Sequence, residues 1–210
     1  IMVGAGTIIK DNPQLTARTE GLDDPVRIIV DGSLSVPLKA KVFHEPGQTI
    51  VLTTTAADEK KREELSALGV DIIMTDSGEK GKVDLPAAMT GLALKDIDGI
   101  LLEGGATLAA SAFEAGIVDK VRIYQAPMII GGTGAPGLIG GKGAPSLGKA
   151  IRMKHISTEM SGPDLVIEAY VDRGEEEIPD RRIDELEEEL KAKDGPAETE
   201  KPDAEKEQEA

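Results

Sequence analysis

Asp98–Phe113 reads DGILLEGGATLAASAF, and this stretch decides the fold. An apolar run, Asp98–Leu102, passes through Glu103-Gly104-Gly105 into a segment where Leu108, Ala112 and Phe113 recur at helical spacing before Gly116. Strand, glycine turn and helix in that order form the repeating unit of an α/β protein. Upstream, Val26–Asp31 (VRIIVD) and Thr49–Thr54 (TIVLTT) are continuous β-branched runs, the mark of strands buried on both faces. Thr55 and Asp58 open a helix with Leu65 and Leu68 on one face, and Gly69 is placed to end it. Val70–Met74 (VDIIM) returns to strand, and Asp84 caps a second helix carrying Leu85, Met89 and Leu92. Ile1–Ile9, with Gly4 and Gly6, reads as a strand end entering a backbone-exposing loop, followed by a turn at Asp11-Asn12-Pro13. Downstream, Lys120–Gln125 is a strand and Gly131–Gly148 a long loop with one short helical turn. Ala150–Met160 and Leu165–Val171 alternate around Ser161-Gly162-Pro163-Asp164, a β-hairpin. The expected architecture is α/β, a mostly parallel sheet flanked by helices with a C-terminal antiparallel β-hairpin.

Composition narrows the function. The 210 residues carry a formal net charge of −15, two histidines and no cysteine. Disulfides, thiolate metal sites and cysteine nucleophiles are excluded, and no metal site is expected. The acidic balance argues against nucleic acid and anionic membranes, and no apolar run reaches the ~20 residues of a membrane span. The charge is uneven. Arg173–Ala210 holds 16 acidic and 7 basic residues, net −9, which leaves −6 for residues 1–172. Residues 173–210 therefore read as an acidic tail, partly helical over Asp180–Lys193 and otherwise of disordered composition. Residue 1 lies inside an apolar run, so an N-terminally truncated domain is expected.

Three motifs carry candidate chemistry. Glu103-Gly104-Gly105-Ala106-Thr107 joins a strand to a helix, where backbone N–H groups and the helix dipole suit a phosphate. A plain tight turn explains the two glycines equally well. Val3-Gly4-Ala5-Gly6-Thr7, with Asp11, Pro13, Leu15 and Arg18, resembles a ligand wall, and guanidinium suits a phosphate. A solvated loop charge at Arg18 and an Asx-turn at Asp11 are the plainer alternatives. Ala126-Pro127 and Gly131-Gly132 open a loop that either closes over a ligand or simply connects. His44 and His155 lack a nearby acid or nucleophile pattern and are read as structural.

The ordered motifs VGAGTIIKDNPQLTAR, PVRIIVDGSL and ILLEGGATLAASAFEAGIVDKVRIYQAPMIIGG resemble the reductase domain of the riboflavin-biosynthesis deaminase/reductase over roughly Ile1–Val171. The resemblance implies a dihydrofolate-reductase-like fold. It implies NADPH-dependent reduction of 5-amino-6-(5-phosphoribosylamino)uracil, with hydride delivered to C1′ of the ribose. By position, Thr7, Asp11 and Gly32 match cofactor contacts, as do Gly105, Ala106, Thr107, Leu108, Ala109, Ala110 and Ser111. Leu15, Arg18 and Glu103 match substrate contacts, with Arg18 at the substrate phosphate. No catalytic acid is assigned. Two departures stand out. The family usually has serine where this chain has Gly32, so a hydroxyl contact is lost. The family's reductase domain also begins before the glycine loop, and its zinc deaminase partner domain is absent from this sequence. The family further implies a cytoplasmic homo-oligomer. A reductase of the same superfamily with another pyrimidine- or pterin-like substrate, and a binding-only fragment, are the alternatives.

Overall fold

The computed structural model describes residues 1–174 apart from Glu20, Lys80, Thr133 and Pro136. The helix expected over Asp180–Lys193 lies outside the described residues. Four short apolar runs form the central layer: β1 (Met2–Gly4), β2 (Arg27–Val30), β3 (Thr49–Thr53) and β4 (Asp71–Met74). They pair in parallel and in chain order. The register aligns Met2 with Ile28 and Ile50, and Val3 with Ile29, Val51 and Ile72. Side chains alternate along a strand, so these two rows point to opposite faces of the sheet. Each face has its own core. On one, Val3, Ile29 and Val51 pack with Ile8, Phe43 and Leu65. On the other, Met2, Ile28 and Ile50 pack with Leu85, Ala88, Leu92, Leu108 and Ala112. A parallel sheet covered on both faces explains why the strands read as unbroken apolar runs.

The flanking helices are α1 (Ala5–Asp11), α2 (Glu59–Ala67), α3 (Leu85–Ala93) and α4 (Ala106–Glu114). Asp58 caps α2 by accepting from Lys61 N at 2.8 Å, and Asp84 caps α3 by accepting from Ala87 N at 3.0 Å. Thr55 is not part of the α2 cap; its hydroxyl donates to Asp76 at 2.7 Å. Leu65 is buried, whereas Leu68 at the C-cap is 42% exposed.

Three further expectations change. Residues after Gly4 form α1 and not a loop, because burial of Ile8 in the core outweighs the poor helix propensity of Gly6. The strand expected over Asp98–Leu102 is reduced to one parallel bridge, Leu102 beside Met2. Met2 N donates to Leu101 O at 2.8 Å and Glu103 N to Met2 O at 2.9 Å. Pairing stops there because β1 is only three residues long and both chains turn at once into helices. Phe113 is half-buried and stands outside the core cluster that takes Leu108 and Ala112.

The remaining strands, β5 (Lys120–Gln125), β6 (Arg152–Ser161) and β7 (Asp164–Asp172), form a separate sheet in the order β5-β7-β6. β5 runs antiparallel to β7, with Lys120 opposite Tyr170 and Gln125 opposite Leu165. Gly162 at φ +59 followed by Pro163 makes the β6–β7 turn, a sequence that suits the type II′ hairpin.

Candidate active site

The carboxyl ends of parallel strands are where α/β sheets bind ligands, because loops and helix N-termini converge there. In this chain they enclose a cavity of about 790 Å³. One wall is the β1–α1 junction, with Gly4, Thr7, Lys10 and Asp11. A second is the start of α4, with Gly105, Thr107, Leu108 and Ser111. The third comes from the ends of β2 and β4, with Val30, Gly32, Ser77, Gly81 and Lys82.

The α4 start has the chemistry of an anion cradle. Gly104 and Gly105 adopt φ +99 and +71, a region that L side chains rarely enter. No side chain caps α4, in contrast to the aspartate caps of α2 and α3. The N–H groups of its first turn therefore keep their capacity for a ligand. A side-chain carbon at Gly104 would lie 3.2 Å from Thr7 Oγ1, so the two glycine motifs pack directly on each other. The turn is tight, and it also brings two walls of the cavity together.

Seven of the ten expected cofactor positions line the cavity: Thr7, Asp11, Gly32, Gly105, Thr107, Leu108 and Ser111. Ala106, Ala109 and Ala110 do not, since a helix turns about 100° per residue and cannot present an unbroken run on one face. Ala106 O instead accepts from Gly140 N at 2.9 Å, and Ala110 packs against Gly141. The loop after β5 thus braces the back of α4, and its glycines do not line the cavity.

The expected substrate residues lie outside the cavity lining. Arg18 and Glu103 are exposed, while Leu15, at φ +56, packs partly against the core. The segment that carries Leu15 and Arg18 is tied down at three points. Asn12 Oδ1 accepts from Lys41 N at 3.0 Å, Gln14 Nε2 donates to Glu45 Oε1 at 2.6 Å, and Ala17 N donates to Asp24 Oδ1 at 2.8 Å. Neither histidine lines the cavity: His44 Nε2 is 2.9 Å from Leu38 O, and His155 meets the Tyr170 ring edge-on. Sequence reasoning missed Lys10, Ser77, Gly81, Lys82 and Glu114 on the walls. The rule that ligands sit at strand ends points to residues 75–82, which follow β4, but only in outline.

An open parallel sheet with a cavity across its strand ends and a helix start without a side-chain cap defines an α/β domain whose strand ends can take an anionic ligand. The particular family follows from comparison. The profile of the RibD C-terminal domain matches residues 1–167, and the chain belongs to that family. It is 38% identical over 172 residues to the riboflavin biosynthesis protein RibD of Actinobacillus pleuropneumoniae, covering 81% of this chain and 46% of that protein. It is 33% identical over 174 residues to a 2,5-diamino-6-ribosylamino-4(3H)-pyrimidinone 5′-phosphate reductase of Methanothermobacter thermautotrophicus, covering 81% and 79%. Among solved structures, RibD of Acinetobacter baumannii superposes with a TM-score of 0.67 at 24% identity, covering 82% and 46%, a likeness of fold. The chain spans about half the length of the RibD proteins it matches.

Proposed function

We propose that this chain is an NADPH-dependent reductase of riboflavin biosynthesis that converts 5-amino-6-(5-phosphoribosylamino)uracil to its ribitylamino product. The observation that carries this reading is the convergence of Thr7, Asp11, Gly105, Thr107 and Ser111, from two distant glycine motifs, on one cavity in a RibD-family fold. The cavity is of the size that cofactor sites occupy. Bound NADPH would supply the hydride. The chain's own groups do the rest. The α4 N-terminus and the hydroxyls of Thr107 and Ser111 would hold the cofactor phosphates. Arg18 would take the substrate phosphate as a planar, permanently charged fork. Glu103, directly before the Gly104-Gly105 turn, would hold the ribose close to the cofactor. The reading includes a cytoplasmic, self-associating protein with residues 173–210 as an extension of the reductase domain. Among the described residues, no helix is long and apolar enough to cross a membrane.

The archaeal relative favours a second substrate, the undeaminated pyrimidinone phosphate in its name. Loss of reduced-nicotinamide absorbance, measured with each pyrimidine in turn, separates the two. Oxidation of NADPH dependent on the uracil is expected. Oxidation with the pyrimidinone alone would select the second substrate. NADPH bound calorimetrically but oxidised with neither would leave a binding module. Arg18→Ala is expected to raise KM about tenfold or more with little change in kcat, as loss of one charged hydrogen-bonding partner does. An unchanged KM would remove Arg18 from the site.

A further inference from the structure

The third wall of the cavity has a chemistry that the glycine motifs do not explain. Lys82 is the cation of that wall; elsewhere the cavity carries Lys10 as a second cation and Asp11, Asp84 and Glu114 as acids. In dinucleotide sites an acidic residue after the second strand bonds the ribose 2′-hydroxyl and so selects the unphosphorylated cofactor. Here the residue directly after β2 is Asp31, and its carboxylate is spent inside the protein. It accepts from Ser35 N at 2.8 Å, Ser35 Oγ at 3.0 Å and Val36 N at 2.8 Å, is 4% exposed, and does not line the cavity. Asp84 Oδ1 is committed to the α3 cap.

A cation takes that place. Any side chain on Gly32 would overlap the carbonyl group of Gly81, so the turn after β4 lies directly on the end of β2. The turn is closed by its own hydrogen bonds. Ser77 Oγ and Ser77 N donate to Lys82 O at 3.0 and 3.3 Å, and Lys82 N donates to Glu79 O at 3.0 Å. Lys82 is thereby fixed by its backbone on the cavity wall next to Gly32. Among the described residues its ammonium pairs with Glu79 Oε2, at 3.5 Å with both groups exposed, a contact weak enough to be exchanged for a ligand anion.

We propose that Lys82, set by the Ser77–Lys82 turn on the end of β2, binds the 2′-phosphate of the cofactor's adenosine and makes this site select the phosphorylated dinucleotide. The inference rests on the reductase reading, which orients the cofactor. Glu103 lies beside β1, so the nicotinamide belongs at that edge, with the pyrophosphate at α4 and the adenosine toward β2–β4. Strands about 4.8 Å apart put the end of β4 roughly 14 Å from β1, the reach of an extended dinucleotide half. Ser77 is a positioning residue, since its hydroxyl is spent on Lys82 O.

The test is calorimetric binding of NADPH, NADH, adenosine 2′,5′-bisphosphate and AMP to the whole chain and to Lys82→Gln, Lys82→Arg and Lys10→Gln. The two adenosine probes read this subsite without any turnover. The unaltered chain is expected to prefer each 2′-phosphorylated member of a pair by about tenfold or more, the worth of one charge-assisted hydrogen bond. Lys82→Gln should abolish most of that preference through weaker binding of the phosphorylated member alone. Lys82→Arg should keep it, and Lys10→Gln should leave it intact. Equal weakening of both members, an unchanged ratio in Lys82→Gln, or loss of the ratio in Lys10→Gln would overturn the proposal. Binding of NADPH and NADH with equal affinity by the unaltered chain would overturn it while leaving the reductase reading in place. Failure to bind either dinucleotide would end both.

Discussion

Arg27 is fully buried in the second strand of a parallel sheet. Its hydrogen bonds go to neutral oxygens: Thr49 Oγ1 at 3.0 Å, and the carbonyls of Glu45, Pro46 and Gly47 at 3.1, 2.8 and 2.9 Å. One side chain thus ties three consecutive carbonyls of the 45–47 turn to the sheet, and that turn holds Gln14 through Glu45. Arg27→Ala would strand those carbonyls and open a cavity. A loss of about 2–5 kcal/mol from the cavity and the lost hydrogen bonds is expected, read from the urea midpoint at unchanged slope. Gly32 works by having no side chain. Gly32→Ala should leave the strands folded but push Gly81 away, at about 1–3 kcal/mol of local strain. NADPH affinity should fall about tenfold by calorimetry. Neither role was legible beforehand. VRIIVD reads as strand with or without a charge in it, and Gly32 reads only as a cofactor position without a hydroxyl until Gly81, 49 positions away, is placed on top of it.

At the scale of elements, the caps and periods in the sequence carried most of the information. Asp58 and Asp84 cap the helices they precede, and β5 covers Lys120–Gln125 as read. The failures share a cause: a short segment takes its conformation from its neighbours. Ala5–Asp11 becomes helix because Ile8 has a core to enter, and Asp98–Leu102 loses its ladder because its partner is three residues long. In α4 the strand–glycine–helix motif was legible but its facing side was not. Thr107, Leu108 and Ser111 point into the cavity, whereas Ala106 and Ala110 meet the 140–141 backbone. One junction between elements titrates. Asp71 at the start of β4 accepts from Gln48 Nε2 at 2.8 Å and Lys95 Nζ at 3.2 Å, and these contacts hold its carboxyl below the ordinary value. A depressed carboxylate stabilises the fold above its unfolded-state pKa, near 4, and loses that contribution as pH falls through its folded value. Asp71→Asn should remove this increment and flatten the acid limb of the stability curve. The pair is partly exposed, so the effect near neutral pH should stay below about 1 kcal/mol.

For the whole molecule, the net charge of −15 divides into −6 on residues 1–172 and −9 on 173–210. Ile1–Val171 is a compact unit that contains every residue lining the cavity. A chain ending at residue 172 is therefore expected to bind NADPH with the affinity of the full chain, within about twofold. A larger loss in parallel titrations would assign the acidic segment a part in the site. Apart from α1 and the strand expected over Asp98–Leu102, the order of strands and helices, the two-faced burial of the parallel sheet and the glycine motifs were legible in the sequence alone. They depend on local periodicity, turn chemistry and composition, which are properties of neighbouring residues. Which residues form the cavity, which face of α4 lines it, and that Lys82 comes to rest beside Gly32 were decided only by tertiary structure. Each depends on two segments far apart in the chain approaching within a few ångströms, and no local pattern in either one encodes that distance.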